Sequence, residues 1–416
     1  MKRQIQKNAV AKTSYRKILF ALWLSYSIAN PAGAQSLFDE AQIKPEIIYR
    51  SAGIERNYKS VFHDIAHRNA VEQIYTRIFF KKSHNYQHDV VIVPAFRTVK
   101  NNPNNWETVL EQGYISTTLV RGLTLSLGKR TEYEGSGVFV NPSDLLNEDK
   151  DLFDDLYNNE GKLINSLSYF GKTWSTSLIY LPKRGKDREE GKYIAKFATD
   201  LLNTDVRFKI GYRQRIEDPA HDQEFRNEGL TYAASASKFI GDYFELHFDG
   251  RYQSSQRSAL EEPERKYTSD KSISGYYDQT DPSMYYLGGS RIIFPGRKTL
   301  VLEAIQNQSG LNKDQFELYY ASAKNDSLEA PSRLVGQNYG FVSFRDESLI
   351  KSSALEVAFL QNIQDGSKFV AGSWRYAISD VTAIELNPTW FVGDLNSEFG
   401  GRPFKSIFLL KLTGTY

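Results

Sequence analysis

The chain has 416 residues, with 52 Lys+Arg against 50 Asp+Glu for a formal charge of +2, and no cysteine. The lack of thiols excludes disulfide frameworks, thiolate metal sites, iron–sulfur clusters and cysteine nucleophiles. The near-neutral balance argues against a nucleic-acid binder driven by bulk positive charge. Aromatic content is high, with 26 Tyr, 25 Phe and 5 Trp, and a mean hydropathy of −0.49 is too polar for a helical membrane protein.

Residues 1–17 carry Lys2, Arg3, Lys7, Lys12, Arg16 and Lys17 and no acid. An apolar run, Ile18 to Leu24, fades through Ser25 to Ala29 and is followed by Pro31-Ala32-Gly33-Ala34. A basic segment, a short apolar core and small residues at Ala32 and Ala34 predict a secretory signal peptide over 1–34, cleaved after Ala34. As a membrane anchor the run is too short for a bilayer of about 30 Å. Losing six basic residues leaves 46 basic against 50 acidic in 35–416, a formal charge of −4.

The rest of the chain alternates with period two. In Asp205–Arg213, Val206, Phe208, Ile210 and Tyr212 share one face, and Asp205, Arg207, Lys209 and Arg213 the other. In Tyr243–Gln253, Phe244, Leu246 and Phe248 oppose Glu245, His247, Asp249 and Arg251, and Phe408, Leu410 and Leu412 oppose Lys411 and Thr413. Successive strand residues point to opposite faces, so each segment has one apolar and one charged face. Strands of about ten residues with a lipid-type face, behind a signal peptide, fit a transmembrane β-barrel better than a soluble sandwich. The final aromatic, Tyr416, matches the ending that barrel assembly machinery reads.

We count eighteen strands, near 43–51, 71–83, 88–100, 113–120, 122–132, 164–172, 174–182, 191–200, 204–214, 230–240, 243–254, 284–294, 298–308, 334–345, 352–363, 368–379, 382–393 and 406–416. Sixteen is the alternative count. The expected fold is all-β, an antiparallel up-and-down barrel over 35–416 with short periplasmic turns and long outer loops. Long loops fall at 133–163, 183–190, 215–229, 255–283, 309–333 and 394–405, with 364–368 a short exception. Asn312–Lys324 has helical spacing at Phe316, Tyr319, Tyr320 and Ala323 with Asn312 as N-cap, which predicts a short helix inside a loop.

Leu123-Thr-Leu-Ser-Leu-Gly-Lys-Arg130, then Gly135-Ser-Gly and Asn141-Pro-Ser-Asp144, resembles the strand and loop motif of porin-like outer-membrane barrels related to alginate-export channels and to an uncharacterised group beside them. Gly128, Lys129, Arg130, Gly135, Gly137, Asn141, Pro142 and Asp144 carry the match. Glu46–Arg50, Arg68–Tyr75, Gly393-Asp394 and Phe399-Gly400 extend it weakly. The chain departs from the group at Tyr133-Glu134, where a Trp is usual. The resemblance implies a barrel channel in the outer membrane, passing hydrophilic solutes or an anionic polymer such as an exopolysaccharide. An exporter would need periplasmic partners, and any such barrel meets outer-membrane lipid and lipopolysaccharide. The two glycines permit unusual backbone where a strand leaves the wall, so this loop either folds into the pore as a constriction or lies over the rim.

Expected inward-facing bases are Arg77, Lys81, Arg207, Lys209, Arg213, Arg251, Arg375 and Lys411, and inward acids are Glu245, Asp249, Glu303, Glu356 and Glu385, with His247 between two of them. Together they imply a wet, charged lumen, either selecting solutes or simply filled by paired charges. His63 and His67 stand four apart without a third ligand. His84 and His88 share that spacing on a predicted hairpin, where they are expected not to face one site. The acidic run Glu148, Asp149, Asp151, Asp154 and Asp155 lacks the glycine spacing of a calcium loop. No cofactor, metal or nucleic-acid site is expected. The alternatives to a channel are a plugged barrel that binds through its outer loops and, with His247 as base, a barrel hydrolase, although no Gly-x-Ser-x-Gly elbow is present.

Overall fold

A strand that faces hydrocarbon must pair every backbone N–H and C=O with a neighbouring strand, and only a closed barrel leaves no edge. The computed structural model meets this demand; it describes residues 42–56, 70–84, 87–99, 102–147, 161–182, 191–213, 230–254, 282–316 and 334–415. Its strands are β1 (Gln42–Arg56), β2 (Ala70–His84), β3 (His88–Val99), β4 (Asn102–Val120), β5 (Leu123–Arg130), β6 (Lys162–Phe170), β7 (Trp174–Leu181), β8 (Lys192–Asp200) and β9 (Thr204–Arg213). They continue as β10 (Leu230–Ile240), β11 (Phe244–Gln253), β12 (Ser283–Phe294), β13 (Lys298–Asn307), β14 (Asn338–Asp346), β15 (Ser353–Asn362), β16 (Lys368–Ala377), β17 (Thr382–Val392) and β18 (Phe404–Thr415). Each pairs antiparallel with the next, and β18 returns to β1, with Glu46 opposite Thr415 and Arg50 opposite Lys411. The fold is therefore a closed 18-stranded antiparallel barrel, as the alternation predicts. The leader, 1–34, and Tyr416 lie outside the described residues.

The apolar stripe faces out. Phe208 and Phe248 are 53% and 47% exposed, while Lys209 and Asp249, one position along, are 2% and 0% exposed. The short turns sit at one end of the barrel. Two of them, Leu202-Asn203 and Gly296-Arg297, have both residues at positive φ (54° and 60°, 81° and 60°), the twist that matches a two-residue hairpin.

Three expectations change. First, β4 begins at Asn102, not near 113, so its connection to β3 is also short. The turn-like Asn102-Pro-Asn-Asn105 stays in the ladder because register shifts at Val93/Pro94 and Thr98/Val99 absorb the irregularity, a bulge being the place where a strand tolerates a missing N–H. Secondly, the lumen wall is not polar all round. Leu287, Val301, Ile305, Tyr339, Phe341, Leu360, Phe369 and Phe391 point inward and form one apolar cluster with Val140 and Phe399 from two loops. Thirdly, His84 and His88 are register partners, so the hairpin puts both positions on one face of the sheet.

The helical spacing after Asn312 appears as a helical turn at 313–316. Asn312 Oδ1 accepts from the Gln315 N–H (3.0 Å) and Gln315 Oε1 from the Asn312 N–H (2.8 Å), a reciprocal cap; positions 319, 320 and 323 lie outside the described residues.

The outward face carries a direct test. Phe248 lies mid-strand on that face, and an Arg near the bilayer midplane costs a barrel about 2–4 kcal/mol. Phe248→Arg is therefore expected to lower folding stability in lipid vesicles by that amount, read from urea titrations. An unchanged midpoint would reverse the assignment of faces.

Candidate functional site: an inward loop and the lumen wall

The segment 131–147 leaves the end of β5 and turns into the barrel. Its contacts fall on successive strands of one wall. Glu134 pairs with Lys196 of β8 and, at 2.9 Å, with Lys209 of β9. The Ser136 N–H reaches Asp249 of β11 (2.9 Å), and the Val138 and Phe139 N–H groups reach the two carboxylate oxygens of Glu303 on β13 (2.6 and 3.2 Å). The Phe139 ring stacks on Phe341 of β14 (centroids 4.9 Å apart) and touches Phe369 of β16. In an eighteen-strand cylinder β5 and β14 are diametrically opposite. The segment thus runs along the inside of the β8–β14 wall and reaches the far side of the lumen.

Its backbone explains the motif residues. Gly135 has φ +122°, and a Cβ there would overlap the Asn141 side chain. A Cβ on Gly137 would overlap the Val140 carbonyl. The Asn141 carbonyl accepts from the Asp144 N–H (3.0 Å), closing a turn around Pro142. Asp144 then accepts from the Leu146 and Asn147 N–H groups (3.2 and 3.1 Å). Returning, the segment gives Lys209 and Lys192 its Ser143 and Leu145 carbonyls (2.7 and 2.8 Å), and the Ser143 hydroxyl donates to Asp249 (2.8 Å). An extended segment inside a barrel has no ladder. The wall supplies acids for its N–H groups and lysines for its carbonyls.

The other predicted wall residues divide by region. Arg77 pairs with Glu46 and lies 3.6 Å from Glu111; Lys81 is 3.8 Å from Asp89. Arg207 is held by Asp205, and Arg291 donates to Glu245 at 2.8 Å. His247 Nε2 is 3.1 Å from Glu303, with both side chains closed to solvent. Arg251 lies over the Tyr285 ring at 5.6 Å. Arg375, Glu385 and Lys411 are consecutive register partners across β16, β17 and β18, alternating in sign, and Glu356 faces Arg345 at 3.9 Å. Arg213 ends β9, but its side chain lies outside the described residues, as do His63, His67 and the acidic run 148–155. Among the described residues no cluster of three metal-ligating groups occurs.

Sequence reading missed Glu134, Lys192 and Lys196. The two lysines were open to the same alternation, flanking inward Ile194 on β8. It also missed a junction at the long-loop end. Buried Glu398, between β17 and β18, accepts from the Val335 N–H (2.9 Å), the Tyr339 hydroxyl (2.7 Å) and Asn362 (2.9 Å), and its own N–H donates to Asp365 (2.7 Å). One carboxylate thus ties three loops together.

In structure the chain is similar to Acinetobacter baumannii OccAB1 (TM-score 0.54, 8% identity, 91% of this chain and 97% of that one) and to OccAB3 from the same organism (TM-score 0.53, 9% identity, 90% and 99%). No family model matches the chain, and no curated protein matches it in sequence.

Two outcomes follow. Burial raises the Glu134 pKa, but the Lys209 and Lys196 ammonium groups outweigh it and hold the carboxyl below its usual range. Its stabilisation is therefore present above the ordinary carboxylate range and lost only as pH falls through the lowered value. Glu134→Gln leaves buried Lys209 without its anion and is expected to cost about 3–5 kcal/mol, measured by urea unfolding at pH 7. Glu398 behaves oppositely. Burial, opposed by the Val335, Tyr339 and Arg402 contacts, pushes it up to about 7. Its contribution is complete below the unfolded value and is lost as pH rises through about 7. Wild type is expected to lose thermal stability between pH 6 and 8.5, and Glu398→Gln to lose less over the same range.

Proposed function

We propose that the protein is an outer-membrane channel for hydrophilic solutes, exported behind a cleaved signal peptide at 1–34. The observation that carries this reading is the division of the lumen. The loop occupies the β8–β14 side, and inward charges elsewhere stay wet: Glu356 and Lys81 are each 38% exposed along their side chains. Water therefore reaches charged side chains inside the barrel, as a conducting lumen requires. Arg77, Lys81, Arg375, Glu385 and Lys411 line the open side, and 131–147 is the constriction, with Tyr133 and Val138 as its exposed side chains. A loop laid inside the lumen along that wall favours small solutes over an exopolysaccharide chain.

The remaining partners fit this reading. The exposed apolar stripe takes outer-membrane lipid, lipopolysaccharide meets the long-loop end, and Tyr416 is the assembly signal. His247 is enclosed and occupied by Glu303, so it is not an accessible base for a hydrolase.

The test is to refold residues 35–416, insert them into a planar bilayer and record single-channel currents. Steady conductance is expected. The reversal potential in a salt gradient should be small, because most inner charges sit beside an opposite one. Silence from well-folded barrel overturns the channel and leaves a plugged one.

A further inference from the structure

Beneath the loop, toward the short-turn end, lies a cavity of about 190 Å³ walled by β9, β10, β11, β12 and the underside of the loop at Gly135-Ser136. That is room for about six waters, the size of a monosaccharide. Its floor is low because β10 turns Ser235 and Ser237 inward. An ion pair stands on either side. Asp205–Arg207 is on β9, and Glu245–Arg291 joins β11 to β12. With strands about 4.8 Å apart, β9 and β11 stand about 10 Å from each other across the serine floor.

The charge of this trough is already balanced. Arg207 directs two N–H groups, Nε and Nη2, at Asp205, and Arg291 directs one at Glu245. A guanidinium has five donors and a carboxylate about four acceptor sites, so both pairs keep further donors and acceptors. Both arginines are 34% exposed along their side chains. A charged solute would gain little, since either sign meets an equal opposite charge that is already partnered. A hydroxyl both donates and accepts, and it bonds each member of a pair without breaking the pair.

From this we propose that the trough is a binding subsite for a neutral, hydroxyl-rich solute of monosaccharide size, held beside the constriction by Asp205, Arg207, Glu245 and Arg291 over Ser235 and Ser237. The inference rests on the channel reading and names its solute class. Residence there would place the solute next to the narrowest part of the path.

The experiment is single-channel recording of the refolded barrel with glucose as probe and gluconate as its anionic counterpart. Glucose is expected to reduce the current saturably, and gluconate to do so only at much higher concentration. Arg207→Gln should raise the half-blocking glucose concentration about tenfold, in line with the loss of a hydrogen bond to a charged group. Ser237→Leu, which fills the floor and keeps all four charges, should do the same. Block by gluconate equal to or stronger than that by glucose, no saturable glucose block, or unchanged block in Ser237→Leu would overturn the subsite. If folded protein passes no current, the channel reading fails separately. Titration calorimetry of glucose into the detergent-solubilised barrel then decides the subsite, where heat in wild type and none in Ser237→Leu supports it and no heat in wild type rejects it.

Discussion

Unpaired backbone polar groups cost several kcal/mol each in hydrocarbon, and this constraint shapes the wall and the interior alike. At the wall it forces closure, and the β1–β18 pairing supplies it. Inside, segment 131–147 has no neighbouring strand, and the same demand falls on side chains. Asp249 and Glu303 receive its N–H groups, and Lys192 and Lys209 serve its carbonyls. The loop's position follows from that set of acceptors and donors, arranged about one strand per residue.

Burying so much charge is tolerable because each member has a partner. Lys209 is closed to solvent but sees Glu134 and a carbonyl, and Asp249 takes several donors from the loop. Removal of one partner exposes the desolvation cost of the other, so the network holds the loop in one place. Across the lumen the same residue types form wet, alternating pairs, where water screens them and individual pairs contribute little stability. Similar side chains therefore act structurally under the loop and as a solvated lining opposite it.

The apolar cluster fixes the far end of the loop. Phe139 and Val140 insert among Phe341, Leu287 and Phe369, and Phe399 closes on Phe369 and Phe391 from the β17–β18 loop. Aromatic burial of this kind is worth more per residue than exposed ion pairs, and it sits at the end of the barrel where Glu398 gathers the neighbouring loops.

Strand positions, their parity and the outward stripe were legible in the sequence, because period-two alternation is a local property of the chain. So were the special backbone at Gly135 and the cap at Asn312. The alternation even separated Lys209 from Phe208 and Asp249 from Phe248. It could not say what Lys209 and Asp249 were for, because their partners are backbone groups of the loop or residues more than 60 positions away. The apolar inner face of β13 and β14 was hidden for a related reason. There both faces are apolar, as in Val301-Leu302 and Phe341-Val342, and alternation carries no contrast. By itself the sequence determined a barrel of alternating strands, since each residue's side of the sheet depends only on its place in the strand. Only the tertiary structure decided that one loop lies inside the lumen against β8–β14 and which charges hold it, because those contacts depend on closing β18 onto β1 and bringing β5 opposite β14.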